Sequence, residues 1–171
     1  MPDSASPVVC SFESRRAEEM CSLIGRQGGT ALSAPSMREI PIEDNPIAIQ
    51  FVRDVIAGAF PVVVLLTGVG TDALFEVARS IDLYEPLLEA LRSKTLIVRG
   101  PKPAVVLSKV GLKYAVRAPE PNTWRELVAA IDEAAVDMMG KAVAVQEYGH
   151  PNTRFYADLE SRGAVVTPVP V

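Results

Sequence analysis

Apolar residues follow two different spacings along this chain, and the two spacings alternate. Short runs of branched apolar residues predict buried strands, and stretches with apolar side chains every three or four positions predict amphipathic helices. Strands are predicted at 7–12, 30–35, 61–66, 95–98, 113–119, 141–146 and 164–171, and helices at 13–29, 47–58, 71–81, 83–93, 99–111, 122–139 and 152–163. Strands that alternate with helices through short connections specify a parallel sheet with helices on both faces. The predicted fold class is therefore α/β, a doubly wound parallel sheet.

The predicted elements form two unequal series. Residues 60–171 supply about five strands, enough for a complete doubly wound domain, whereas residues 7–35 supply only strand, helix and strand. A unit that small cannot bury enough apolar surface to fold alone. We therefore divide the chain into an incomplete first domain (1–35), a linker with two prolines (36–46), a complete second domain (47–168) and the start of a return linker (169–171).

Composition and charge argue against membrane-spanning and nucleic-acid-binding functions. The chain has 171 residues, of which 49% are hydrophobic, but no segment is long enough to span a membrane. The N-terminus lacks the pattern of a signal peptide, so we expect a cytoplasmic protein without a membrane partner. The net charge of −4 argues against a nucleic-acid partner bound through phosphate neutralisation. An acidic ligand would have to be held by local groups rather than by the overall field.

The strongest candidate chemistry lies at three predicted strand ends, each followed by a helix start. Ligands of open parallel sheets bind beyond the carboxyl ends of the strands. Glycine lets the backbone approach a ligand, amides at a helix start attract anions, and threonine adds neutral hydrogen-bonding groups. Two cations accompany the second end. The candidate binding residues are Thr67, Gly68, Val69, Gly70, Thr71, Arg99, Gly100, Lys102, Gln146, Gly149 and Asn152.

These features also have purely structural interpretations. Glycine at a strand-to-helix turn commonly serves only to make the turn, and neither glycine segment matches a P-loop or a dinucleotide fingerprint. The sole histidine, His150, is interpreted as a surface residue and Trp124 as core packing. The chain has no Ser/His/Asp set, no cysteine beside a base and no metal-ligand cluster, which points away from covalent or metal chemistry. No catalytic residue is assigned.

Five segments occur in a distinctive order: "FESRRAEEM", "LLTGVGTDAL", "VRGPKPAVVLSKVGL", "PEPNTWRELVAAI" and "AVQEYGHPNTRFYADLESRGAVVTPVPV". Together they resemble uroporphyrinogen-III synthase, a lyase that performs the cyclisation step of tetrapyrrole (haem, sirohaem, corrin) biosynthesis. The resemblance implies two flavodoxin-like domains: the chain begins domain one, builds domain two and returns to finish domain one. It also implies that the return half, and the functional tyrosine expected after Val171, are missing. We therefore expect a truncated enzyme or a fragment, inactive by itself.

The resemblance further implies a reaction and its partners. Hydroxymethylbilane, a linear tetrapyrrole with eight carboxylates, is closed to uroporphyrinogen III with inversion of ring D, without cofactor or metal. Thr67 aligns with the hydroxyl of the family's Thr-Ser tip, the serine position is Gly68 here, and Lys102 is a candidate carboxylate contact outside the family motif. The full-length protein is expected to be a monomer, with hydroxymethylbilane synthase as its upstream partner.

Two other functions stay open. A non-enzymatic ligand-sensing or interaction module of the same fold would account for Gly68 and the basic "RGPK" tip, which depart from the enzyme pattern. A flavodoxin-like binder of a phosphate-bearing cofactor is weaker, because no tip carries the flat aromatic residues that stack on a flavin. Isomer analysis of the tetrapyrrole product separates the enzyme from the sensing module.

Overall fold

A computed structural model describes residues 6–36, 45–147 and 149–171. The chain divides into two compact units, Met1–Ile42 and Glu43–Val171. Most of the predicted linker, residues 37–44, lies outside the described residues. No helix in the described ranges is long and apolar enough to cross a bilayer.

The first unit is the predicted strand, helix and strand. It consists of β1 (Val8–Ser11), α1 (Ala17–Arg26) and β2 (Thr30–Ser33), with the two strands paired in parallel. None of residues 6–36 is buried, and several of its apolar side chains are exposed. These are Val8, Val9, Phe12, Leu23 and Leu32. The described part of this unit therefore has no buried core.

The second unit contains a five-stranded parallel sheet. Its strands are β3 (Val62–Leu65), β4 (Thr95–Val98), β5 (Val116–Arg117), β6 (Ala142–Glu147) and β7 (Val165–Pro170), in the spatial order β5-β4-β3-β6-β7. The doubly wound α/β class is thus confirmed. The order corresponds to 3-2-1-4-5 within the unit, unlike the 2-1-3-4-5 of flavodoxin, and it reverses between β3 and β6.

Helices cover both faces of this sheet. They are α2 (Pro46–Ile56), α3 (Gly68–Ser80), α4 (Tyr84–Arg92), α5 (Pro101–Lys109), α6 (Trp124–Glu133) and α7 (Thr153–Glu160). Successive side chains of β3 point to opposite faces of the sheet, because side chains alternate along a strand, and so they pack with the helices of opposite layers. Val63 and Leu65 pack with α2 to α5, and Val62 and Val64 pack with α6 and α7. The central strand is buried throughout because both of its faces are covered.

The end of helix α6 differs from the sequence prediction. Helix α6 begins at the predicted capping box of Thr123 and Glu126 but ends at Glu133 rather than near Met139. Ala135 adopts a left-handed φ of 49°, and the amide of Val136 donates to the carbonyl of Ile131, which closes the helix. At the other end of the unit, β7 ends at Pro170, in agreement with the strand predicted at 164–171, so the first two residues assigned to the return linker are paired in the sheet.

The strand register brings the predicted site segments to one edge of the sheet. Leu65 is aligned with Val98 on one side and with Gln146 on the other. The residues that follow β3 and β4, and the last residue of β6, therefore lie side by side at the carboxyl edge. This edge includes the point where the strand order reverses, which is where open α/β sheets bind ligands.

Candidate functional site

The glycine-rich segment after β3 forms the first turn of α3, although the sequence predicts a helix start only at Thr71. Thr67 is the N-cap, and its Oγ1 accepts the amide hydrogen of Gly70 at 3.0 Å. The buried Thr71 hydroxyl donates to the Thr67 carbonyl oxygen at 2.7 Å. The Thr71 hydroxyl therefore already has an acceptor at the start of the helix, whereas Thr67 is a lining residue of a cavity.

The glycines of this turn allow close packing. A Cβ on Gly70 would lie 1.9 Å from Nε2 of Gln146, a side chain that is fully buried. Gln146 Oε1 accepts the amide hydrogens of Leu66 at 3.2 Å and Thr67 at 3.3 Å, so it joins the end of β6 to the end of β3. A Cβ on Gly68 would lie 3.1 Å from Cβ of Lys102 in α5. The structural interpretation of the glycines thus has a specific physical basis.

Fewer main-chain amides are free at this tip than its glycine content suggests. The amides of Leu66, Thr67 and Gly70 are all bonded within the protein. The amides of Gly68 and Val69, the first two of α3, make no hydrogen bond to any residue in the described ranges. These two are the orphan donors that a helix start leaves for an anion or for water.

The second tip places an unpaired cation at the sheet edge. Arg99 directly follows β4, and its amide donates to the carbonyl oxygen of Leu65 at 3.1 Å. Its half-buried guanidinium makes no ion pair or side-chain hydrogen bond with any residue that the structure describes, and burial lowers its pKa. Gly100 is the N-cap residue of α5 and lies close to Asn122, and Lys102 is exposed. Arg99 is therefore the cation of this tip that faces the cavity.

The third tip contributes a buried carboxyl group that the sequence analysis did not select. Glu147 ends β6 with 6% of its surface exposed. The Tyr156 hydroxyl donates to Glu147 Oε1, and burial raises the pKa of this carboxyl. Asn152 caps α7, with Oδ1 accepting from the amide of Phe155 at 3.2 Å. A glutamate directly after a predicted buried strand was the available signal, and it is the extension of β6 by one residue that buries it.

The three tips enclose a cavity of about 170 Å³, here called the strand-end cavity. It is lined by Leu66, Thr67, Arg99, Trp124, Glu147, His150, Asn152, Phe155 and Tyr156. Of the predicted residues, it brings together Thr67, Arg99 and Asn152. The other predicted residues, which are not part of its lining, are Gly68, Val69, Gly70, Thr71, Gly100, Lys102, Gln146 and Gly149. His150 is exposed and Trp124 packs against a buried cluster, in agreement with their interpretation as surface and core residues, and both also line the cavity.

A larger cavity of about 320 Å³ lies beside the start of α2 and the strand β7. Its lining is mainly apolar and contains none of the predicted binding residues. The lining residues are Pro46, Ile47, Gln50, Phe51, Asp54, Phe60, Thr167 and Val169. The smaller strand-end cavity is the better candidate, because it combines convergent polar groups, a cation and a buried acid at the switch point of the sheet.

The donor set of the strand-end cavity is suited to an organic ligand. Across the described ranges, no group of three or more His, Cys, Asp or Glu side chains could hold a metal ion. The residues of its lining instead carry one guanidinium, one carboxyl, one imidazole, one side-chain amide, hydroxyl groups and aromatic rings. This set can bind a carboxylate, accept a hydrogen bond and pack against a flat ring.

Comparison with known proteins identifies similar families and folds. The family model described as "Uroporphyrinogen-III synthase HemD" matches residues 18–171. Among curated proteins, the chain is 29% identical over 156 residues to "Uncharacterized protein YjjA" of Bacillus subtilis (strain 168). That match covers 91% of this chain and 56% of the Bacillus protein.

Solved structures of uroporphyrinogen III synthase from Thermus thermophilus share the fold. A mutant form matches with a TM-score of 0.73 at 24% identity, covering 97% of this chain and 61% of that chain. Another structure of the Thermus thermophilus protein matches with a TM-score of 0.60 at 25% identity, over 96% and 61% of the two chains. The chain thus spans less than two thirds of the length of these relatives.

Proposed function

The chain belongs to the uroporphyrinogen-III synthase family, and we propose that it takes part in the cyclisation of hydroxymethylbilane to uroporphyrinogen III with inversion of ring D. The observation that carries the proposal is the family match over residues 18–171. The position of the strand-end cavity supports it, because this edge of an open α/β sheet is where small-molecule ligands bind. Hydroxymethylbilane synthase, which makes the linear substrate, is the proposed upstream partner.

The chemistry of the cavity suits a reaction that depends on positioning. Closing a flexible linear tetrapyrrole requires the two reacting ends to be held together, which is an entropic contribution to catalysis. Arg99 would hold a substrate carboxylate, and the Thr67 hydroxyl would donate a neutral hydrogen bond. Glu147 would face the positive charge that develops when the terminal hydroxyl leaves. None of these roles needs a covalent nucleophile.

A coupled assay tests the activity. Porphobilinogen is fed through hydroxymethylbilane synthase, and the product isomers are separated by chromatography. We expect type III isomer from the protein expressed from its complete reading frame, and only the spontaneous type I isomer from residues 1–171 alone. Exclusive type I isomer from the complete reading frame would contradict the enzymatic proposal, and type III isomer from residues 1–171 would contradict the expected inactivity.

A ligand-sensing module of the same fold is the second candidate, and one observation favours it. The position where the family carries a serine is Gly68, and a Cβ there would meet Lys102 at 3.1 Å. A hydroxyl-bearing side chain is thus absent and would also be crowded. The sensing function predicts that the complete protein binds a tetrapyrrole, seen as quenching of tryptophan fluorescence, while the coupled assay yields type I isomer only.

A further inference from the structure

A guanidinium and a buried carboxyl group belong to the lining of the strand-end cavity and do not pair with each other. Arg99 and Glu147 both line it, yet their side chains form no ion pair with each other. Glu147 Oε1 accepts from Tyr156, while its Oε2 accepts no hydrogen bond from any residue in the described part of the chain. A charged or polar group that is partly removed from water is costly unless it is paired or hydrogen-bonded. This cost suggests that both groups are arranged for a ligand.

A ligand that satisfies both groups needs two different ends. It must present an anion to Arg99 and a hydrogen-bond donor to Glu147 Oε2. A guanidinium binds carboxylate with charge-assisted hydrogen bonds, and a carboxylate oxygen accepts from an N–H group. The ligand chemistry is therefore that of a molecule carrying a carboxylate and an N–H donor on opposite sides.

The walls of the cavity select a flat ring. Trp124, Phe155 and Tyr156 all line it, and the rings of Phe155 and Tyr156 are 6.1 Å apart at an interplanar angle of 53°. The guanidinium of Arg125 lies 4.8 Å from the centroid of the Trp124 ring and helps to fix its orientation. Three aromatic side chains favour a planar, partly apolar ligand over an aliphatic one.

The volume of the cavity limits the ligand to one ring. About 170 Å³ is below the roughly 300–1,000 Å³ of pockets that bury a drug-sized molecule. A whole tetrapyrrole would not fit inside, whereas one pyrrole ring with a short acid arm is of suitable size. The remaining rings would have to lie outside this cavity.

We propose that the strand-end cavity binds a single pyrrole ring of a larger substrate, with Arg99 pairing one carboxylate arm and Glu147 accepting the ring N–H. This assignment rests on the proposed function for the identity of the ring. It adds the specific subsite, the two residues that recognise its ends, and the direction in which the ring lies. Arg99 and Glu147 become the residues that determine specificity for a pyrrole carboxylate.

The sole tryptophan makes the test direct. Trp124 lines the cavity, so its fluorescence reports occupancy without a label. The probe is pyrrole-3-propionate, a monopyrrole with one carboxylate, titrated into the full 171-residue chain. The comparison probes are its N-methyl analogue, which lacks the N–H donor, and γ-aminobutyrate, which has both ends but no ring. We expect the parent probe to bind more tightly than either.

Variants of Arg99 and Glu147 test which residue binds each end of the ligand. Arg99→Met should weaken the parent probe about tenfold or more, because it removes a charge-assisted hydrogen bond. Arg117→Met, which removes an exposed cation from the neighbouring strand β5, is the matched control and should leave the affinity unchanged. Glu147→Gln should weaken the parent probe severalfold and the N-methyl analogue hardly at all, because only the parent donates to residue 147.

The outcomes separate this inference from the proposed enzymatic function. Dependence of parent-probe affinity on Arg99 and Glu147 supports the subsite even if the coupled assay yields type I isomer only. Absence of binding to the unmodified chain, equal loss in Arg99→Met and Arg117→Met, or equal effects of Glu147→Gln on both pyrrole probes would overturn it. Any of these results would overturn the proposed subsite even if the coupled assay yields type III isomer. Circular dichroism of each variant checks that the fold is retained.

Discussion

At the scale of single residues, Arg99 and Glu147 are explained by ligand binding better than by stability. The Arg99 side chain is half-buried and the Glu147 carboxyl group is buried, and the two form no ion pair with each other. Groups held in this way usually lower the stability of the free protein, and they contribute to the free energy of binding when a ligand binds. Their effects on folding and on binding should therefore have opposite signs.

The first prediction at this scale concerns Arg99. Arg99→Met keeps an unbranched side chain along the cavity wall but removes an unpaired, half-buried charge. We expect the free energy of unfolding to stay the same or rise by up to about 1 kcal/mol, because no ion pair is lost. Denaturant unfolding beside Arg117→Met measures the change. A loss of more than about 1 kcal/mol would mean that Arg99 has a structural partner.

The second prediction concerns the pH dependence that Glu147 confers. Its pKa is raised by burial above the ordinary 4.5, so the folded protein holds this proton at pH values where the unfolded chain has released it. The stability contributed by the neutral form is complete below pH 4.5 and is lost as the pH rises through the folded-state pKa. The neutral variant Glu147→Gln does not titrate at this position.

Unfolding curves of the two proteins at several pH values test this linkage. Glu147→Gln should gain stability relative to the parent chain as the pH rises from 4 to 8, since Gln retains an acceptor for the Tyr156 hydroxyl. At the acidic end the two proteins should be similar. A difference independent of pH would show that burial does not shift the pKa of Glu147, and a difference that favours the parent more strongly at high pH would show that the carboxylate form is the stabilised one.

At the scale of elements, the sequence predicts the strands better than the helix ends. The branched apolar run at β3 identifies the central strand because it is buried on both faces. The apolar stripe of α6 continues in the sequence beyond Glu133, where the helix ends. The residue that closes the helix is Ala135, which adopts a left-handed conformation more common for glycine. In the opposite sense, glycines at 68 and 70 suggest a loop but lie inside α3.

The candidate site was only partly predictable for a related physical reason. Strand ends can be read from the sequence, so Thr67, Arg99 and Asn152 were found. Tyr156 reaches the cavity from the face of α7, and only the packing of that helix places its hydroxyl on Glu147. Likewise, the Gln146 bridge to β3 depends on a pairing register that no local pattern encodes.

A prediction at this scale tests the contact between β6 and α3. Gly70→Ala places a methyl group where Gln146 Nε2 now lies, so the buried amide must move and its bonds to Leu66 and Thr67 weaken. We expect a loss of about 1–3 kcal/mol in the free energy of unfolding. The double variant Gly70→Ala/Gln146→Ala should lose less than the sum of the single changes, because the second removes the clash. Additive losses would contradict this packing.

At the scale of the whole molecule, the two units differ in how their apolar surface is used. The Glu43–Val171 unit has two buried clusters, one on each face of its sheet. The described part of the Met1–Ile42 unit has no buried residue and several exposed apolar side chains. Burial of apolar surface is the dominant favourable term in folding, so the two units should differ in local stability.

Amide hydrogen exchange of the chain tests this difference. We expect the amides of β1 and β2 to exchange much faster than those of β3 and β6, because the latter pair lies between two helical layers. Measurement at two protein concentrations serves as the control for self-association. Protection of β1 equal to that of β3 at low concentration would contradict the prediction and show that the first unit is stabilised by other means.

The most direct test of the account is the location of a bound tetrapyrrole. A crystal structure or amide chemical-shift map of the protein with uroporphyrinogen III should place one ring at Thr67, Arg99 and Glu147, at the carboxyl ends of the strands. Binding in the larger cavity beside α2 and β7, with the strand-end cavity unperturbed, would contradict the assignment.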